Sequence, residues 1–169
     1  MIFRQSVESD IPGIMDIIHQ AQAYFKEQGI DQWQNGYPNR EVILNDIKNH
    51  YGYVLLNDDR IVGTVSVSFD GEKTYESIYH GNWISHQEYA VIHRLAVDSN
   101  FKGTGLSSIM LKHIEEMCLQ KGVHSIKLDT HKDNHSMQKL VKKNGFQYCG
   151  IIYLQDQSER IAFEKILEE

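Results

Sequence analysis

With two cysteines, two prolines and no long apolar run, this 169-residue sequence excludes several classes of protein. Cys118 and Cys149 are too few for a disulfide framework and too isolated for a zinc site. Cys118 falls on the apolar face of a helical pattern and reads as a reduced core thiol. No stretch reaches the 18 or so apolar residues of a membrane span. Met1-Ile2-Phe3-Arg4 opens without a signal-peptide core, so the simplest location is the cytoplasm. There is no basic run, and the net charge is −6. Nucleic acid is therefore not the expected partner. His131 and His135 are four apart, but Asn134 starts a helix between them, leaving two solvated histidines in a turn; no metal is expected.

What is present is ordinary globular material: 41% apolar and 24% charged residues, at a length that suits one domain over residues 1–169. Residues 2–7 alternate as a first strand. Ser9 or Asp10 can cap a helix carrying Ile11, Ile14, Ile18, Ala21 and Phe25, with Pro12 in its first turn and Gly29 at its end. A polar-aromatic loop, 30–38, holds Trp33 and Tyr37. Asn39 then caps a second helix through Ile43 and Ile47. Tyr51–Leu56 and Arg60–Phe69 read as an antiparallel hairpin. The polar stretch 70–88, with Tyr75, Tyr79 and Trp83, is too long for a tight turn and has the length of a functional lid. Phe146–Leu154 and Glu159–Leu167 form a closing hairpin. The pattern β-α-α-β-β-β-α-β-α-β-β predicts an α/β fold: a mixed, mostly antiparallel sheet with helices on both faces.

The most informative segment lies between. Tyr89–Val97 is an apolar run that reads as a largely buried strand. Asn100-Phe101-Lys102-Gly103-Thr104-Gly105 follows as a glycine-bearing turn, then a helix with Leu106, Met110, Ile114, Met117 and Cys118 on one face. Strand, Gly-x-Gly turn and helix together offer backbone N–H groups to an anion, because the glycines allow positive φ and the first helical turn leaves its amides unpaired. Close helix–strand packing explains such a turn equally well. A dinucleotide fingerprint would need a further glycine where Ser108 stands, and a P-loop would need Gly-Lys-Ser/Thr. Next, Ile126–Asp129 alternates as a strand. Asn134 or Asp133 can cap a helix bearing Met137, Leu140 and Val141, with Lys142 and Lys143 in its last turn. Asn144-Gly145 ends that helix and Phe146 opens the next strand.

In Leu95-Ala96-Val97, in Lys102-Gly103-Thr104-Gly105 and in Asn134…Asn144-Gly145-Phe146, in that order and spacing, residues 89–154 resemble the GCN5-related N-acetyltransferase (GNAT) family. The resemblance implies an enzyme that moves an acetyl group from acetyl-CoA to a primary amine by direct attack in a ternary complex. The acceptor would be a small amine, an amino acid or a protein amine. The resemblance assigns the pyrophosphate to the amides of Lys102, Gly103, Thr104, Gly105, Leu106 and Ser107, with the Lys102 ammonium nearby. It assigns the pantetheine to the backbone of Leu95, Ala96 and Val97, which splay from the neighbouring strand. Asn134 can contact the same arm or serve only as a cap, and Met137 and Lys143 lie near it. Two positions depart from the family pattern. Asn100 stands where Arg or Gln is usual, and Val141 stands where a tyrosine often protonates the departing thiolate.

Acetyl transfer to an amine needs a base, since an alkylammonium with a pKa of about 10 must lose a proton before attack. His93 is the first candidate, sharing side-chain parity with Leu95 and Val97 on a regular strand. A histidine at a comparable place serves arylalkylamine N-acetyltransferases, which this chain resembles in that respect. Glu88 is the second candidate. Tyr148 and Tyr153 are substitutes for the missing acid, the alternative being that none is used. Trp33, Tyr37, Tyr79 and Trp83 are candidates for the acceptor mouth, where aromatic faces suit a cation with an apolar body; core sealing or a dimer contact would use the same residues. A homodimer could pair through the closing hairpin. The competing reading is a catalytically inactive CoA-binding sensor or partner-binding module, suggested by Val141.

Overall fold

The computed structural model describes residues 1–168. Its strands are β1 (Ile2–Gln5), β2 (Gly52–Asn57), β3 (Arg60–Ser68), β4 (Ala90–Val97), β5 (Ser125–Thr130), β6 (Gln147–Tyr153) and β7 (Glu159–Ile166). Its helices are α1 (Ile11–Gln28), α2 (Arg40–Lys48), α3 (Leu106–Gln120) and α4 (His135–Lys143). The order of elements along the chain is the one the sequence pattern predicts. The strands form one sheet in the order β1-β2-β3-β4-β5-β7-β6. The β1–β2, β2–β3, β5–β7 and β6–β7 pairs are antiparallel and β4–β5 is parallel. Among the described residues no helix is long and apolar enough to cross a membrane.

The contacts group into two compact units, residues 1–67 with 94–113, and residues 68–93 with 114 to the end of the described chain. In the first unit, Ile11, Ile14 and Ile18 of α1 pack with Ile43 of α2 and Val54 of β2. Gly29, at φ +70°, ends α1 as a left-handed cap. Asn39 caps α2, its side-chain oxygen accepting the Val42 N–H at 2.9 Å. Asp10 does not cap α1 with its side chain. Its carboxylate instead accepts two bonds from Arg4, at 2.7 and 3.0 Å, and the Val7 N–H at 2.8 Å. A buried carboxylate is better compensated by a forked guanidinium than by helix amides alone. The first strand accordingly stops at Gln5, short of the expected residue 7.

In the second unit the 70–88 segment is a packed strap rather than an open lid. Trp83 is buried and its indole N–H donates to the Tyr75 carbonyl at 2.8 Å. Tyr79 and Ile151 of β6 exchange two backbone bonds of 2.8 Å. Glu164 of β7, with no exposed surface, accepts the Ile84 and Ser85 amides at 2.8 and 3.3 Å and the Ser85 hydroxyl at 2.6 Å. The Ser125 hydroxyl of β5 donates to the same carboxylate at 2.7 Å. A buried carboxylate is costly without donors, and the strap supplies most of them.

Candidate functional site

In the first unit, β4 runs through a short 3₁₀ turn, Ser99–Phe101, into the glycine turn and α3. Asp98 is 3% exposed. It holds this entry by accepting the Asn100 amide at 2.9 Å and Arg60 at 2.7 Å. The Thr104 hydroxyl and amide both donate back to the Phe101 carbonyl. Gly103 and Gly105 adopt φ +80° and +85°, and a Cβ on either would meet no atom within 4 Å. Conformation, not crowding, therefore demands glycine at both places. Among the described residues the amides of Gly103, Gly105, Leu106 and Ser107 donate to no protein acceptor. The tip from Lys102 to Gly105 is exposed. A row of unspent amides at a helix start is a donor set that fits a pyrophosphate. Lys102 is less free than the sequence suggests, since its ammonium rests 3.3 Å from the centroid of the Tyr24 ring.

The same half of the fold holds a feature with no local signal. Arg94, inside β4, has φ +54°. Its guanidinium forks onto Asp46 at 2.6 and 2.9 Å and donates to the Tyr37 hydroxyl at 3.0 Å. The twist at Arg94 interrupts strand alternation. The burial pattern of β4 therefore shows two half-buried residues in succession, His93 and Arg94, followed by buried Leu95 and Ala96 and half-buried Val97. His93 shares parity with Leu95 and Val97 only on an unbroken strand, and the positive φ at Arg94 breaks it. Tyr37 is 43% exposed, whereas Trp33 is half-buried and packs edge-on against Phe25 at 5.7 Å.

In the second unit, the parallel pairing of β4 with β5 is confined to Ala90↔Ile126 and Val91↔Lys127. His93 lies two residues beyond, its Nε2 3.2 Å from Oε1 of Glu72, with both side chains 28% exposed. Below them, the buried Tyr75 hydroxyl donates to Asp129 at 2.6 Å. The Tyr75 ring centroid is 6.5 Å from that of His93. The hydrogen bond from His93 chiefly holds the Glu72 carboxyl below the usual carboxylate range. Burial pushes Asp129 up, and burial followed by the Asp129 charge pushes the Tyr75 phenol well above its ordinary value. The cluster thus has an accessible imidazole facing an ionised carboxylate, and a phenol that keeps its proton.

The other expected site residues of this unit are dispersed. Glu88 is exposed and makes no ion pair among the described residues. Tyr148 is 51% exposed and touches Phe163 edge-on at 6.0 Å. Tyr153 meets Tyr79 edge-on at 5.4 Å. Trp83 lies in the core against Tyr75, with the Lys127 ammonium 4.4 Å from its ring. Asn134 is buried and caps α4 by accepting the Met137 amide at 3.1 Å. Met137 is half-buried and Lys143 exposed. Val141 is wholly buried. Glu72, Asp129, Arg94 and Asp46 carry no mark of a site in the sequence, and Tyr75 reads there only as a loop aromatic. Each of these earns its place through a partner distant along the chain, so periodicity carries no trace of the role.

A family model described as the acetyltransferase (GNAT) family matches residues 17–146. The Bacillus subtilis (strain 168) protein YesJ, named as an uncharacterized N-acetyltransferase, is 22% identical over 167 residues, covering 95% of this chain and 87% of that protein. A crystal structure of a GNAT-family acetyltransferase from Streptococcus agalactiae 2603 superimposes with a TM-score of 0.91 at 34% identity, covering 99% of this chain and 96% of the other. The ribosomal-protein-alanine N-acetyltransferase of Brucella melitensis shares the fold at 19% identity and a TM-score of 0.71, over 99% of this chain and all of that one. The extent of the family match and the near-complete superposition on a 34%-identical relative lead to one conclusion: this chain belongs to the GNAT acetyltransferase family and is an N-acetyltransferase.

Proposed function

We propose that the enzyme, acting as one domain, transfers the acetyl group of acetyl-CoA directly to a primary amine bound alongside it. The acceptor would be a small amine, an amino acid or a protein amine. The observation that carries this reading is His93, a half-exposed imidazole beside Glu72, placed where the β4–β5 ladder has just ended. A strand without its ladder partner has backbone groups to offer. That arrangement suits a pantetheine arm along Leu95, Ala96 and Val97. The four unspent amides of the glycine turn suit the pyrophosphate, assisted by the positive end of α3.

Acetyl-CoA, the donor generally used by this family, supplies the activated thioester. His93 takes one proton from the acceptor ammonium, directly or through one water, and passes it on to solvent. The freed amine attacks the carbonyl carbon, the carbon–sulfur bond breaks with its electron pair leaving on the thiolate, and the second proton of the attacking nitrogen is lost to water or to that thiolate. Positioning and a backbone amide near Val97 polarise the carbonyl. Val141 has no proton to give, and the Tyr75 proton is held by Asp129. Tyr148 and Tyr153 are exposed phenols that stay as candidate acids; unchanged turnover in both Tyr148→Phe and Tyr153→Phe would assign departure of the free thiolate.

The test is calorimetry with acetyl-CoA beside CoA, ATP and NAD, on wild type and Gly103→Glu, followed by an amine screen with His93→Ala. Acetyl-CoA binding that Gly103→Glu loses, with amine acetylation that His93→Ala loses, supports the proposal. No binding by wild type at millimolar ligand sinks it.

A further inference from the structure

We propose that Glu72 is the positioning residue for His93: supplied by the 70–88 strap, it fixes the imidazole with Nε2–H toward the carboxylate and Nδ1 toward the acceptor. This rests on the reading of His93 as the base. Both oxygens of Glu72 are committed. Oε1 faces His93 Nε2 at 3.2 Å, while Oε2 accepts the Thr74 amide at 3.3 Å. The Glu72 backbone amide donates to the Tyr89 hydroxyl at 3.2 Å, so the residue is held from both sides before any substrate arrives. The turn that bears it, Lys73–Tyr75, is tied down in turn. Tyr75 donates to Asp129, and its carbonyl accepts the Trp83 indole N–H. Among the described residues His93 Nδ1 has no protein partner, which leaves it as the nitrogen open to an incoming proton.

When Nδ1 takes a proton from the acceptor, the imidazole becomes a cation whose Nε2–H still donates to an ionised carboxylate. Glu72 does not take the proton; it stabilises the cation by charge and orientation. The titratable groups around the pair are Tyr75 of the same turn, Tyr89 at the entry to β4 and Asp129 of β5, with Arg160 of β7 acting on Asp129. Burial pushes the Asp129 carboxyl up, and Tyr75, which donates to it, stays a neutral donor.

Glu72→Gln keeps the shape and removes the charge. We expect it to fold with wild-type circular dichroism, to keep KM for acetyl-CoA, and to lose on the order of tenfold or more in kcat, less than the roughly 10²–10⁴ that a general base supplies. The second arm does not use turnover: ¹³C NMR titration of the Glu72 carboxyl in wild type and in His93→Ala. A midpoint below the usual carboxylate range that rises in His93→Ala supports the pairing. A Glu72→Gln enzyme as fast as wild type, or a Glu72 midpoint unmoved by His93→Ala, overturns this proposal while leaving His93 as base intact. Wild-type protein that binds acetyl-CoA but acetylates no amine overturns the functional reading itself, whatever the titration shows.

Discussion

At the scale of residues, the proposed base and a structural arginine stand side by side on a single strand. His93 and Arg94 are neighbours in β4 with opposite expectations. His93→Ala should lower kcat by about 10² to 10⁴ and lower the thermal midpoint only slightly, because the side chain is accessible and gives up a single contact, with Glu72. Arg94→Ala should do the reverse, costing about 3 kcal/mol in urea denaturation, since it strands the buried Asp46 carboxylate without its fork. Asp129 carries a different sign. Its carboxyl is raised by burial, so the stability it contributes is present at acid pH and lost as pH rises through its elevated value. Asp129→Asn keeps an acceptor for Tyr75 and should be as stable as wild type or more so at pH 7, with lower activity. A thermal scan at pH 7 showing clear destabilisation would contradict this.

Among the elements, the proposed mechanism rests most on the strap and the glycine turn. A Cβ at Gly81 would come within 2.0 Å of the Cys149 carbonyl oxygen, a backbone atom that cannot step aside. Gly81→Ala should therefore lift the strap from β6, costing about 1–3 kcal/mol and reducing turnover through displacement of Glu72. Paired denaturation and kinetic measurements check both effects together. Glu164→Ala attacks the other anchor by removing the acceptor of four hydrogen bonds. Stranded buried donors cost about 1–3 kcal/mol each, so this should be the most destabilising single change among the strap's anchors. The caps and turns were legible from sequence because they are local: Asn39 and Asn134 bond within three residues, and Gly29, Gly103, Gly105 and Gly145 announce positive φ. Arg94 also has positive φ, yet an arginine inside an apolar run gives no such notice. Its conformation follows from the Asp46 and Tyr37 contacts rather than from its own preference.

For the whole molecule, acid should unfold the protein through its paired carboxylates. Asp10, bonded by Arg4, and Glu72, bonded by His93, are both held below the usual range. Their contribution is present above the unfolded-state value and is lost as pH falls through the folded ones, in a window beginning near pH 4 and extending downward. A thermal midpoint followed from pH 7 to pH 2 should stay level and then drop, and Asp10→Asn should flatten the drop. The sequence by itself determined the order of the elements, the glycine turn, the helix caps and the family, because each depends on residues within a few positions of one another or on spacing along the chain. Only the tertiary structure decided which residues stand beside His93. Glu72 reaches it on a strap that is secured by Glu164, 79 and 80 residues away along the chain. Contacts of that separation depend on where the rest of the chain is packed, and a local pattern does not encode them.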